Sequence, residues 1–359
     1  MGFNMKKFTK ILAAVTAAAT LTASFAGCAL VKDVSEREAV ENEQKAIAQM
    51  SETVLKVNDI EVEGAYYGWL FSQNYNAEYN ALMEAQQAEA DSAADSGAGS
   101  AADTATDSAA APEVDFDKVK EDTKKQIAEI KLAYAKAVEA GVKLSDADKD
   151  AIDAEIENMK SGISQQGISY ADYLSIMNSN AETVEKIIEE QYIGNMYYAT
   201  FAKDKYVTAK HILIEYGDEE GKHSKDEAQK IAEEIKAKLD GGEDFDKLMK
   251  EKSEDPGLET NPAGYTFTND GSMVPEFEAA AFALKEGEIS DIINVESEGY
   301  KGFHILKKCP VELSGVASAL GSSMDAELTA KIEAEKTALT ENVKYEETDK
   351  ISYYTEMFN

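Results

Sequence analysis

The chain holds three histidines, and two of them lie at the centres of strand-like runs, Tyr206-Val-Thr-Ala-Lys-His-Ile-Leu-Ile214 and Gly302-Phe-His-Ile-Leu-Lys-Lys308. Each run alternates, so His211 shares a face with Leu213 and His304 is placed likewise. Two such strands lying antiparallel as neighbours bring both imidazoles together on one face. Metal chemistry is disfavoured, because three scattered histidines give no HExxH or comparable ligand spacing. No serine-protease or thiol-protease arrangement is present, and no cofactor is called for. His223 follows the acidic loop Glu215–Lys222 and reads as an exposed residue.

Between the two runs lie Gly271-Ser-Met-Val-Pro-Glu-Phe-Glu-Ala-Ala-Ala-Phe282 and Leu284-Lys-Glu-Gly-Glu-Ile-Ser290. In this order, the segments resemble the parvulin family of peptidyl-prolyl isomerases across residues 206–310, the full length of that domain. The resemblance implies an α+β fold, a four-stranded antiparallel sheet with surrounding helices. The further strands fall at 264–268 and 290–296, and the helices at Ser224–Leu239, Phe245–Lys250 and Glu276–Leu284. It also implies roles by position. His211 and His304 match the paired histidines of the active site. Asp255, in Ser253-Glu-Asp255, matches a position that holds cysteine in some parvulins and aspartate in others. Met273 and Phe277 match the apolar cup for the proline ring. The sequence departs from the family at Asn261-Pro-Ala-Gly-Tyr265, which replaces the usual Gly-Gly-Asp-Leu-Gly, and one extra residue precedes Met273. The family's leucine in that segment has no clear counterpart.

The implied reaction suits such residues. Rotation about an amide costs about 18–20 kcal/mol because resonance is lost on twisting. X-Pro bonds therefore isomerise in tens of seconds or more, slowly enough to limit folding. A catalyst needs no nucleophile. It needs an apolar cup, here Met273 and Phe277, and a polar setting for the turning carbonyl, here His211, Asp255 and His304. Because a binding cup faces solvent on one side, truncating Phe277 is expected to cost less stability than truncating a core phenylalanine.

Other segments bound the setting. Lys6, Lys7 and Lys10 precede the apolar stretch Ile11–Phe25, which is short of the ~20 residues a membrane span needs. This reads as a secretory signal over residues 1–27. Its ending, Phe25-Ala-Gly-Cys28, resembles a bacterial lipobox, which implies lipid attachment at Cys28 and a place on the outer face of the cell membrane. Thr53–Val57, the Asn58-Asp59 turn and an aromatic helix over Glu63–Met83 resemble the start of the chaperone region of PrsA-type foldases. Residues 85–112, low-complexity Ala, Asp, Ser and Gly, read as a disordered insertion. Helices follow over 116–140, after Ser145, after Ser169 and over Ala181–Lys203, and a last one spans Asp325–Glu341 with Leu328, Ile332 and Leu339 on one face. The expected map is a helical chaperone-like region over 28–205, a parvulin-like domain over 206–310 inserted in it, and a C-terminal segment over 311–359 packing back on the first region.

Composition agrees with an exported foldase. The 359 residues carry a formal charge of −33, and Arg37 is the only arginine. Such a surface repels phosphate backbones, so no nucleic-acid partner is expected, and a guanidinium-built phosphate site is excluded. Cys309 lacks a partner once Cys28 is lipidated, and reads as a small, partly buried apolar residue. The expected partners are unfolded exported proteins with X-Pro bonds, and the membrane through the anchor. The alternative is a binding chaperone whose parvulin-like unit is weak or inert. A solute-binding lipoprotein is disfavoured, because the helices outside the central domain are not interleaved with strands.

Overall fold

The computed structural model describes residues 50–95, 112–219, 222–297, 300–323 and 326–356. The leader, Cys28 and the heart of the low-complexity segment, 96–111, lie outside the described residues. In chain order the elements are β1 (Thr53–Val57), β2 (Ile60–Glu63), α1 (Gly64–Asp95), α2 (Phe116–Glu139), α3 (Asp146–Gln165), α4 (Tyr170–Ile176) and α5 (Ala181–Ala199). They continue with β3 (Tyr206–Glu215), α6 (Lys225–Asp240), α7 (Phe245–Lys252), β4 (Tyr265–Thr268), α8 (Pro275–Ala283), β5 (Ile293–Ser297) and β6 (Tyr300–Cys309). The last are α9 (Leu313–Ser323), α10 (Ala326–Thr340), β7 (Tyr345–Glu347) and α11 (Ser352–Glu356). Two compact units result. One takes in Lys136–Ala151 and Tyr192–Ala334. The other takes in Ile152–Gln191, Glu335–Asn359 and the described residues up to Ala135.

In the mainly helical unit, β1 and β2 form a hairpin whose turn puts Asn58 at φ +54, a conformation asparagine tolerates. β7 pairs antiparallel with β1 on its other edge, Val57 facing Tyr345, so the last described strand lies beside the first. The aromatic helix α1 supplies the core. Tyr67 stacks on Phe71 with centroids 5.7 Å apart, and Tyr354 packs 5.3 Å from Tyr67. A buried ion pair joins Lys131 Nζ to Glu190 at 2.7 Å, and the Tyr66 hydroxyl donates to the same carboxylate at 2.9 Å. Losing one member of such a pair costs about 3–5 kcal/mol, which ties α1, α2 and α5 to one arrangement. One expectation is corrected. α1 runs on to Asp95, although the disordered insertion was placed from residue 85, because Ala, Gln and Glu there are strong helix formers.

The sheet of the other unit has the order β4-β3-β6-β5, antiparallel throughout. α6 begins with a capping box, Ser224 with Glu227. Such a cap stabilises a helix by about 1 kcal/mol. One face of the sheet packs Ile212, Ile214, Phe303 and Ile305 against Ala228, Ala232, Ile235 and Leu239 of α6 and Phe245 and Leu248 of α7. The opposite face holds Val207, Ala209, Phe267 and Leu306 against Phe277 and Ala281 of α8. This second face carries both strand histidines.

Candidate active site

The register of β3 on β6 sets His211 opposite Leu306 and His304 opposite Leu213. The two histidines are therefore diagonal neighbours on one face, with ring centroids 5.1 Å apart and planes at 73°. Phe277, projecting from α8, meets both rings edge-on, 5.2 Å from His211 and 5.6 Å from His304. Met273, in the loop before α8, packs half-buried against the same cluster. The loop after α7 brings Asp255 in. Ser253 Oγ accepts the Leu213 N–H at 3.1 Å, and the Glu254 N–H donates to the Leu213 carbonyl at 2.9 Å. These two bonds lay the loop along β3 and leave Asp255 Oδ2 3.4 Å from His211 Nε2. Its other oxygen, Oδ1, accepts the Gly257 N–H at 3.0 Å, an Asx turn that fixes the carboxylate plane. All five residues expected to form a site on the sheet thus converge on one face.

One further residue belongs to this constellation. Tyr265, the first residue of β4, stacks on His211 with centroids 5.5 Å apart and planes within 8°, and its hydroxyl donates to Asp255 Oδ2 at 2.9 Å. Behind it, Phe267 lies 5.7 Å from Phe277. The alternation of Tyr265 and Phe267 in the expected strand 264–268 was the available signal, since both face the side that bears His211. His223 keeps 38% of its side chain exposed, in keeping with its reading, and has a partner. Its Nε2 lies 3.0 Å from Glu254 Oε1, next to Asp255 in the chain. Cys309 is half-buried, and burial pushes its thiol up.

Electrostatics follow from burial. His304 is 2% exposed. Desolvation, with His211 adding, pulls its pKa down to about 3. Burial lowers His211 as well, and the Asp255 charge partly offsets this. Burial and the carboxylate it serves raise the Tyr265 phenol, so that it remains a donor. At neutral pH both imidazoles are neutral. The unfolded chain, by contrast, protonates its histidines near the ordinary value of about 6.5. Folded stability is therefore full above that pH and falls as the pH drops from about 6.5 towards 3, by up to about 1.4 kcal/mol per unit for each histidine kept neutral. Denaturant unfolding of His304→Gln is expected to show a shallower loss of stability between pH 6.5 and 4 than the parent. Parallel curves would mean that His304 is not held neutral.

A sheet of this order, bearing two buried imidazoles and a carboxylate above an aromatic floor, defines a parvulin-type isomerase domain. Residues 195–309 match the family of the PPIC-type PPIASE domain. The Foldase protein PrsA of Geobacillus sp. (strain WCH70) is 31% identical over 236 residues, 61% of this chain and 78% of that protein. The chain belongs to the PrsA foldase family. The Foldase protein PrsA of Geobacillus kaustophilus is 36% identical over 161 residues, 44% of this chain. Here the chain spans only 53% of the relative's length. The solved structure of PrsA from Bacillus subtilis is 21% identical, covering 67% of this chain and 86% of that one, with a TM-score of 0.25. The fold assignment rests on strand order and register.

Proposed function

We propose that the chain is a peptidyl-prolyl cis–trans isomerase that assists the folding of exported proteins outside the cytoplasmic membrane. The convergence of His211, Asp255 and His304 over Phe277 carries this reading. Met273 and Phe277 seat the proline ring by apolar contact. The planar amide places negative charge on its carbonyl oxygen, and twisting withdraws that charge. A fixed carboxylate beside neutral imidazoles disfavours the planar form relative to the twisted one, which lowers the barrier without a covalent bond. The mainly helical unit, which takes in Ile152–Gln191 and Glu335–Asn359, holds unfolded segments while the sheet-bearing unit works. Catalysed exchange of an X-Pro peptide by the full chain is the test.

The Phe25-Ala-Gly-Cys28 ending supports a lipid anchor on Cys28. Among the described residues no helix is long and apolar enough to cross a membrane. Cys28→Ala is expected to shift the protein from the membrane fraction to the soluble fraction or medium. A variant as membrane-bound as the parent would remove the anchor from the proposal. The departure at Asn261–Tyr265 favours the second reading, a binding chaperone with an inert isomerase domain, and the same exchange measurement separates the two.

A further inference from the structure

The segment Asn261–Tyr265, where the chain departs most from the family pattern, ends in a side chain that touches two members of the site at once. The Tyr265 hydroxyl and His211 Nε2 converge on one atom, Asp255 Oδ2, at 2.9 and 3.4 Å. The Tyr265 ring lies parallel to the His211 imidazole, at 8°. With Oδ1 held by the Gly257 N–H, each carboxylate oxygen has a donor, and the side chain is only 11% exposed. The surrounding loop is shaped around the phenol. A side chain at Gly257 would collide with the Tyr265 hydroxyl. Gly264, at φ +98, makes the turn that brings Tyr265 over the sheet, and a side chain there would strike the Ala209 carbonyl. Asn261 donates to the Gly257 carbonyl at 3.0 Å and steadies the same loop.

We propose that Tyr265 is a positioning residue of the isomerase site, its hydroxyl fixing the Asp255 carboxylate and its ring fixing the His211 imidazole. The proposal rests on the isomerase reading above and adds to it a residue that acts through Asp255. A carboxylate free to rotate would spread its charge over several directions. One clamped by two donors presents a fixed field, and a site that is set before the substrate arrives avoids reorganisation during the twist.

Tyr265→Phe keeps the ring and deletes only the hydroxyl. With exchange NMR on an X-Pro peptide, the rate at saturating peptide is expected to fall about tenfold, because hydrogen bonds to a charged group are the stronger kind, while peptide Kd moves less than about twofold. In an Asp255→Ala background the same change is expected to have no further effect, since the two residues act as a unit. A merely structural tyrosine would instead lower the rate by the same factor in both backgrounds, and that result overturns the proposal. So does a wild-type rate from folded Tyr265→Phe. Gly257→Ala, which pushes against the phenol, is the second variant should Tyr265→Phe melt early. It is expected to reproduce the rate loss with Kd retained, and a wild-type rate from it overturns the proposal too. A parent chain without catalysis overturns the isomerase reading itself. An active parent with an unaffected tyrosine variant overturns only the role of Tyr265.

Discussion

Asp255→Ala is expected to lower the catalysed exchange rate at saturating peptide by at least about tenfold, with peptide Kd changed by less than about threefold. The carboxylate lies 3.4 Å from His211 and takes the Tyr265 hydroxyl, so its removal leaves a half-buried phenol without its acceptor and an imidazole without its charged neighbour. It lies beside the Phe277 floor, not within it, which is why ring binding is spared. A melting curve separates this effect from unfolding. The same variant divides the chain's two proposed tasks. Suppression of aggregation of an unfolded protein is expected to survive in Asp255→Ala, because the helical unit that would hold clients has its own core around Tyr67, Phe71 and Tyr354. Wild-type exchange from a folded Asp255→Ala protein would remove the residue from the mechanism.

Phe277→Ala is expected to act on both stability and catalysis. The sequence suggested a cup open to solvent and hence a modest stability loss. The structure corrects this: Phe277 is 3% exposed and is packed between Phe267, His211 and His304. Its truncation belongs with buried Phe→Ala changes, which cost about 3–5 kcal/mol, a large share of the about 5–15 kcal/mol that holds a domain together. Phe277→Leu retains more of the volume and is the better probe of the cup. It is expected to stay folded and to lose more than about tenfold in kcat/KM, mainly through KM, because a ring that is poorly seated is poorly bound. A folded Phe277→Leu protein with unchanged kcat/KM would mean that the proline ring sits elsewhere.

The strand face of the site was legible because period-two alternation is a local property. Counting alone pairs His211 with Leu213 and Tyr265 with Phe267 within their strands, and the antiparallel registers then put Tyr265, His211 and His304 on one face with the two histidines as diagonal neighbours. Asp255 was reached only through its place in a family pattern. Its position depends on Ser253 and Glu254 bonding to Leu213, a long-range pairing with no local signature. The role of Tyr265 has no local signature, because the placing of its hydroxyl on Asp255 is a tertiary fact. The buried Lys131–Glu190 pair in the helical unit was hidden for the same reason, since each residue alone reads as part of a solvated helix face. The extension of α1 to Asp95 has a different cause. Low-complexity composition rich in alanine is compatible with disorder and equally favours continuing a helix that packing has already begun.

Exchange NMR on a short X-Pro peptide with a small fraction of the intact chain tests the central claim most directly. Uncatalysed interconversion takes tens of seconds or more. The account predicts exchange between the cis and trans resonances on a sub-second scale, greatly slowed when Asp255→Ala replaces the parent. Peptide resonances that shift on binding while cis and trans remain in slow, uncatalysed exchange would contradict it, and would make the four-stranded domain a binding module.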